Sequence, residues 1–214
     1  MRRLEGWKVG SAPSPGGIAA LLAVCVLPTF QPSVAFAQTD TIPPGFGSLR
    51  RDDITVRFAT NEVELQILPL DERVIRLLAP DTYRSLHALL ATRQASIDTA
   101  AAQAGIRTPT LVMVTFLGVV PQARFTPEDV NILSRGRLYR PLAIVPLAPE
   151  WSSLQLEARQ QAMALYLFDE GISFREALTV TYRGNSNESW SRAVRLLDQE
   201  RARVMARAQA ERNP

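Results

Sequence analysis

Residues 110–120, TLVMVTFLGVV, form an almost unbroken apolar run of β-branched and aromatic residues. A strand with one wet face alternates polar and apolar side chains. A run this continuous reads instead as a central strand buried on both faces, and the rest of the chain is read by what can pair with it or cover it.

Upstream, Ile54, Val56 and Phe58 alternate with Thr55 and Arg57, and after the turn signal Thr60-Asn61, Val63, Leu65 and Ile67 alternate with Glu62, Glu64 and Gln66. Period two with a turn between predicts two half-buried strands joined as a hairpin and closed by Pro69. A short apolar piece at 74–78 follows. Pro80-Asp81-Thr82 then opens a predicted helix over 82–104, with Asp81 as its cap and Tyr83, Leu86, Leu90, Ile97, Ala101 and Ala104 as its stripe. Gly105 stands where a helix ends.

Downstream, Pro121 and the segment 125–129 mark a corner. Val130, Ile132, the turn pair Arg135-Gly136 and residues 138–145 predict a second hairpin, ended by Pro146 and Pro149. A short helix or loop is expected after Leu154, then a strand at 162–168 and a last strand through Leu178, Val180 and Tyr182. Gly184-Asn185-Ser186-Asn187 is read as its break, with Asn185 and Glu188 as a capping box for a C-terminal helix at 188–214. The apolar stripe of that helix fades toward a charged end, which predicts final turns projecting into solvent.

The fold class expected is mainly β with helices: an antiparallel β-sandwich, immunoglobulin-like arrangements included, with one inserted helix and a C-terminal helix. The Cys-Trp-Cys hallmark of antibody domains is absent. The alternative is an α+β fold whose antiparallel sheet is covered on one face.

Residues 1–37 read as an export signal: Arg2, Arg3 and Lys8 precede an apolar run at 18–27, too short to span a bilayer, and Ala35-Phe36-Ala37 is a small-x-small cleavage pattern. Cleavage is expected after Ala37, giving a periplasmic or secreted protein. Cys25 follows Val24 rather than a small residue, against a lipoprotein signal, and Leu4-Glu5-Gly6 after Arg2-Arg3 argues against a twin-arginine signal. Residues 38–53 are expected as a linker or irregular lead-in to a β-rich domain at 54–187.

The chain of 214 residues carries 24 Lys+Arg against 21 Asp+Glu, a formal charge of +3. Three of those cations and one anion lie in residues 1–37, so the remainder is close to neutral, and it loses the only Cys and the only Lys with the signal. Disulfides, thiol nucleophiles and Schiff-base lysines are thereby excluded from the exported part, and a general nucleic-acid role loses its electrostatic support.

Candidate functional residues are few. Arg135, Arg137, Tyr139 and Arg140 cluster in SRGRLYRP (134–141), a patch for an anionic partner or lipid headgroup, or else a solvated hairpin neutralised by Glu128, Asp129 and Glu150. Trp151 follows Pro149 and is a candidate exposed recognition residue, with core packing as the structural reading; Trp190 is expected to plug the end of the core. His87, the single histidine, has no evident catalytic partners. The carboxylate pairs Asp52-Asp53, Asp71-Glu72, Glu128-Asp129 and Asp169-Glu170 sit at element ends, where acids solvate turns; acid/base work would need two of them across a cleft. Asn187-Glu188-Ser189 matches a glycosylation acceptor only formally. No Walker loop, GxGxxG, GxSxG, HExxH or CxxC is present, so neither catalytic residues, metal nor cofactor are assigned.

The function expected is that of an exported bacterial envelope or secreted protein acting as a binding or scaffolding module. The alternatives are a cofactor-free hydrolase using paired carboxylates and a structural protein that oligomerises through its C-terminal helix. The expected partner is an envelope protein or surface ligand, with no nucleic acid, and with membrane contact only through the signal during export.

Overall fold

The strand at the centre of the sequence is also the centre of the sheet. In a computed structural model that describes residues 42–212, β3 (Thr110–Gly118) lies in the middle of a five-stranded antiparallel sheet. Its order is β1 (Val56–Ala59), β2 (Val63–Pro69), β3, β9 (Gln161–Phe168), β7 (Ala143–Pro146). β3 pairs with β2 from Val63↔Gly118 to Pro69↔Val112 and with β9 from Thr110↔Phe168 to Leu117↔Gln161, so both its edges are satisfied. Both its faces are buried as well: Val112, Val114 and Phe116 on one, Met113 and Thr115 on the other.

The Phe116 face looks toward a second antiparallel sheet, ordered β11 (Asn185–Asn187), β10 (Leu178–Tyr182), β5 (Asn131–Ser134), β6 (Arg137–Tyr139), and the rings of Phe116 and Tyr182 meet at 5.7 Å. A minor pair joins β4 (Ala123–Arg124) to β8 (Gln155–Leu156). The fold is therefore mainly β and sandwich-like, with helices added, rather than one sheet covered on a single face. α2 (Pro80–Gln103) lies against β7 and contributes Leu86, Ile97 and Ala101 to the core. It ends at Gly105 as expected: the Gly105 amide bonds the Ala102 carbonyl and the Ile106 amide bonds that of Ala101. Its start differs. Ala79 is the cap, with Pro80 at the first helical position, where its fixed φ suits the helix and its missing N–H is not needed, and Asp81 only places a charge in the first turn.

Two strand expectations are corrected. Residues 138–145 are not one strand. The chain leaves the second sheet after Tyr139 and enters the first at Ala143, because Pro141 has no amide with which to continue the ladder. Residues 184–187 do not simply break β10: Arg183 and Gly184 both take positive φ (47° and 78°) and turn the chain into β11, as Arg135 and Gly136 (52° and 74°) do between β5 and β6. Asn185 therefore sits in a strand, and Asn187 accepts the Ser189 amide ahead of α3 (Trp190–Arg212).

The segment at 42–53, which ends in a 3-10 turn over Arg51–Ile54, is packed into the domain. Ile42 is buried, Leu49 bridges to Leu78, and a Cβ at Gly47 would stand 2.3 Å from the Leu77 carbonyl carbon, so only glycine admits this approach. On α3 the apolar stripe is buried through Val204, residues 209–211 are exposed as the charged end predicts, and Trp190 plugs the core with its indole N–H on the Phe174 carbonyl. The expected export signal at 1–37 lies outside the described residues. Among the described residues no helix is long and apolar enough to cross a membrane.

One buried charge ties the two ends of the domain together. Glu200 of α3 is 1% exposed, and its Oε1 accepts from the Ser48 amide at 2.9 Å, from the Ser48 hydroxyl at 2.8 Å and from Arg207. Oε2 has Arg203 at 3.7 Å as its ionic neighbour. Glu200→Ala leaves the Ser48 donors and Arg207 unanswered, and we expect it to lower the unfolding free energy by about 3 kcal/mol in urea denaturation, against about 1 kcal/mol for Ser48→Ala. Equal, small effects would show that the tie contributes little.

Candidate functional site

An open cleft of about 500 Å³ lies at one end of the sandwich. Three segments meet there: the start of α1 (Glu72–Ile75), the chain entering β3, and the loop after β9 together with the β5–β6 turn. Asp71, Glu72 and Arg73 line the cleft from the α1 side, and Arg135, Glu170 and Ser173 line it from the second sheet and the loop leading into it.

Most of these charges are already held. Asp71 caps α1, its carboxylate taking the Arg73 amide at 2.8 Å and the Arg73 guanidinium at 3.1 and 2.8 Å. Glu72 receives Arg76 Nε at 2.6 Å and the Tyr83 hydroxyl at 3.4 Å, and this carboxylate raises the Arg76 pKa above its ordinary value. Arg135 forms a forked pair with Glu176, one arm at 2.8 Å; the bond lifts the arginine and holds the glutamate below the usual carboxylate range. Glu170 has its amide on Asp169 Oδ1 at 3.0 Å, and its own carboxylate carries no hydrogen bond or ion pair among the described residues.

The residues singled out in the sequence separate. Arg135 lines the cleft. Arg137 pairs with Asp169 at 2.8 Å and lies 4.7 Å over the Tyr139 ring, so those two share a face as strand alternation requires. Tyr139 is buried, with its hydroxyl against Gly171, whose φ of +108° no larger residue adopts easily. Arg140 is exposed, and among the described residues its guanidinium has no partner. Arg135 and Arg137 are neutralised, by Glu176 and Asp169 rather than by Glu128, Asp129 and Glu150.

Trp151 is 8% exposed and offers no open recognition surface. Its ring packs on Phe125 at 5.3 Å, Phe116 at 5.8 Å and Tyr166 at 6.0 Å, which is the core alternative. His87 is exposed on α2, with its ring 5.7 Å from that of Tyr83, and does not line the cleft. Of the acid pairs, Asp71-Glu72 and Glu170 reach one cleft, whereas Asp52 is held by Arg57 and Asp53 accepts the Arg50 amide. The contributions of Arg73 and Ser173 were not legible in the sequence; the Asp71-Glu72 carboxylate pair was the only pointer to that side. Among the described residues no group of three or more His, Cys, Asp or Glu is placed to hold a metal. No protein-family model, curated protein or solved structure matches the chain.

The aromatic cluster behind the site carries a pH dependence. Burial, then the Glu128 and Tyr182 charges, push the Tyr166 phenol far above its ordinary value, and its hydroxyl donates to the Pro127 carbonyl at 3.0 Å. The folded chain thus keeps a proton that the unfolded chain releases from about pH 10 upward, so stability falls as pH rises past that point. Tyr166→Phe should cost about 1 kcal/mol at pH 7 and flatten the alkaline fall in a pH series of denaturation curves. An unchanged slope would place the alkaline sensitivity elsewhere.

Proposed function

We propose that this protein is an exported bacterial envelope or secreted component that works as a non-catalytic binding module, with the cleft between α1 and the β5–β6 turn as its recognition site. The observation that carries this reading is the state of the cleft's charges. Asp71, Glu72 and Arg135 are fixed in hydrogen-bonded ion pairs, a preorganised polar surface, while Glu170 alone among the lining carboxylates is uncommitted. Such an arrangement orients a polar ligand and leaves one negative charge to answer a cationic group on it.

A second reading rests on the same residues. Glu72 and Glu170 line one cleft, which is what a cofactor-free hydrolase needs, although Glu72 is engaged by Arg76. Oligomerisation through the C-terminal helix draws less support, since the apolar face of α3 is spent on its own domain.

Residues 38–214 span the compact unit Thr39–Pro214 and suit a ligand-observed NMR screen against short basic, acidic and zwitterionic peptides and oligosaccharides. The binding reading expects a ligand that weakens about tenfold or more in E170Q and R135A and is unaffected by R84A on α2. Ligands indifferent to both cleft variants would overturn it, and turnover lost in E170Q would favour the hydrolase. Export is tested separately by sequencing the processed chain: the expected N-terminus is Gln38, and Ala37→Leu should block processing, whereas retention of an uncut chain in the cytoplasm would sink this part.

A further inference from the structure

A different surface carries an inference independent of the cleft. Along residues 138–142 exposure alternates: Leu138 (48%), Arg140 and Leu142 (50%) face outward between buried Tyr139 and half-buried Pro141. Leu133 (37%), the register partner of Leu138 on β5, adds a third exposed leucine beside them. Exposed leucines are ordinary one at a time, but a cross-strand pair with a third leucine four residues on, and an exposed cation between, is not. Among the described residues Arg140 has no partner, while the other arginines of the hairpin are taken, Arg135 by Glu176 and Arg137 by Asp169. The neighbouring positions on the same side of the second sheet, Asn131, Thr179 and Thr181, carry no carboxylate. Glu188 lines a groove that it shares with Leu133.

The chemistry of the patch selects its occupant. A second copy of the chain, docked patch to patch, would bring two unpaired Arg140 side chains together. An added peptide strand would need a ladder, but β6 is three residues long and Pro141 removes the next amide. A fluid surface that accepts leucine side chains and presents phosphate oxygens needs neither symmetry nor a ladder.

We propose that Leu133, Leu138, Arg140 and Leu142 form a peripheral contact for a bilayer surface bearing anionic phospholipid. The leucines enter the interfacial region and Arg140 engages a headgroup phosphate. This adds a membrane contact to a chain whose sequence suggested one only through its signal.

The test is co-sedimentation of residues 38–214 with vesicles of phosphatidylcholine alone and with part of it replaced by phosphatidylglycerol. Binding to the anionic vesicles is expected, falling with added salt and dropping about fivefold or more in R140E and in L138S/L142S, while R84E on α2 binds as the parent does. If the leucine variant fails to fold, R140E and the salt series carry the test. Binding that ignores R140E, or no binding to anionic vesicles, overturns the proposal. So does Arg140-dependent binding of polyglutamate without vesicle binding, which would make the partner an acidic polypeptide, and so does concentration-dependent dimerisation lost in L138S/L142S.

Discussion

β3 has no free edge and no wet face, and that constraint organises the rest of the chain. Every backbone amide and carbonyl of a doubly buried strand needs a partner, because each one left unpaired costs about 1–3 kcal/mol. β2 supplies one ladder from close by in sequence. The other comes from β9, more than forty residues downstream. The chain between them leaves the sheet at Gly118, builds β4 to β6, returns as β7 at the sheet's far edge, and passes through the Trp151 turn and β8 before β9 begins at Gln161. The second sheet and the aromatic cluster that fills the sandwich follow from the need to bring β9 to β3 and to cover the Phe116 face.

Arginine is the strong cation of the described domain, and its forked geometry shapes the surface chemistry. A guanidinium can hold a carboxylate and a backbone carbonyl at once, as Arg76 does with Glu72 and the carbonyl of Ile42. Those bonds, with Ser48 on Glu200, fasten the irregular lead-in to α1 on one side and α3 on the other. The same chemistry at the β5–β6 turn ties Arg135 to Glu176 and Arg137 to Asp169, which removes two cations from what looked like a basic patch. Arg140 and Glu170 are left as uncommitted charges at this end, one beside exposed leucines and the other in a polar cleft. The two proposed surfaces differ because these two residues differ.

Much of the fold was legible where one residue's pattern answers to one physical rule. Alternation gave the β1–β2 hairpin and β10, composition gave β3, and Gly105 gave the end of α2. The same rules misled where a strand is polar or a stripe is broken. Asn185–Asn187 has no apolar alternation to read, although Arg183-Gly184 repeats the Arg135-Gly136 dipeptide and was a usable turn signal. Glu200 stands at a core spacing on α3, between Leu197 and Val204, and a charge there reads as solvent-facing until its partners at Ser48 and Arg207 are seen. Trp151 could not be told from an exposed anchor, because its cover comes from Phe116, Phe125 and Tyr166, which lie in three other segments.

The amino-acid sequence by itself determined the β-rich class, the central strand, the inserted and terminal helices, and the absence of lysine and cysteine after residue 37. Each of these depends on local periodicity or on simple counting, which need no knowledge of what folds against what. The tertiary structure alone decided which charges are spent and which remain. It paired Arg135 and Arg137, buried Glu200 and Trp151, brought Asp71, Glu72 and Glu170 to one cleft, and left Arg140 open beside three leucines. Ion pairing and burial are set by contacts between residues tens of positions apart, and a linear pattern holds no record of those distances.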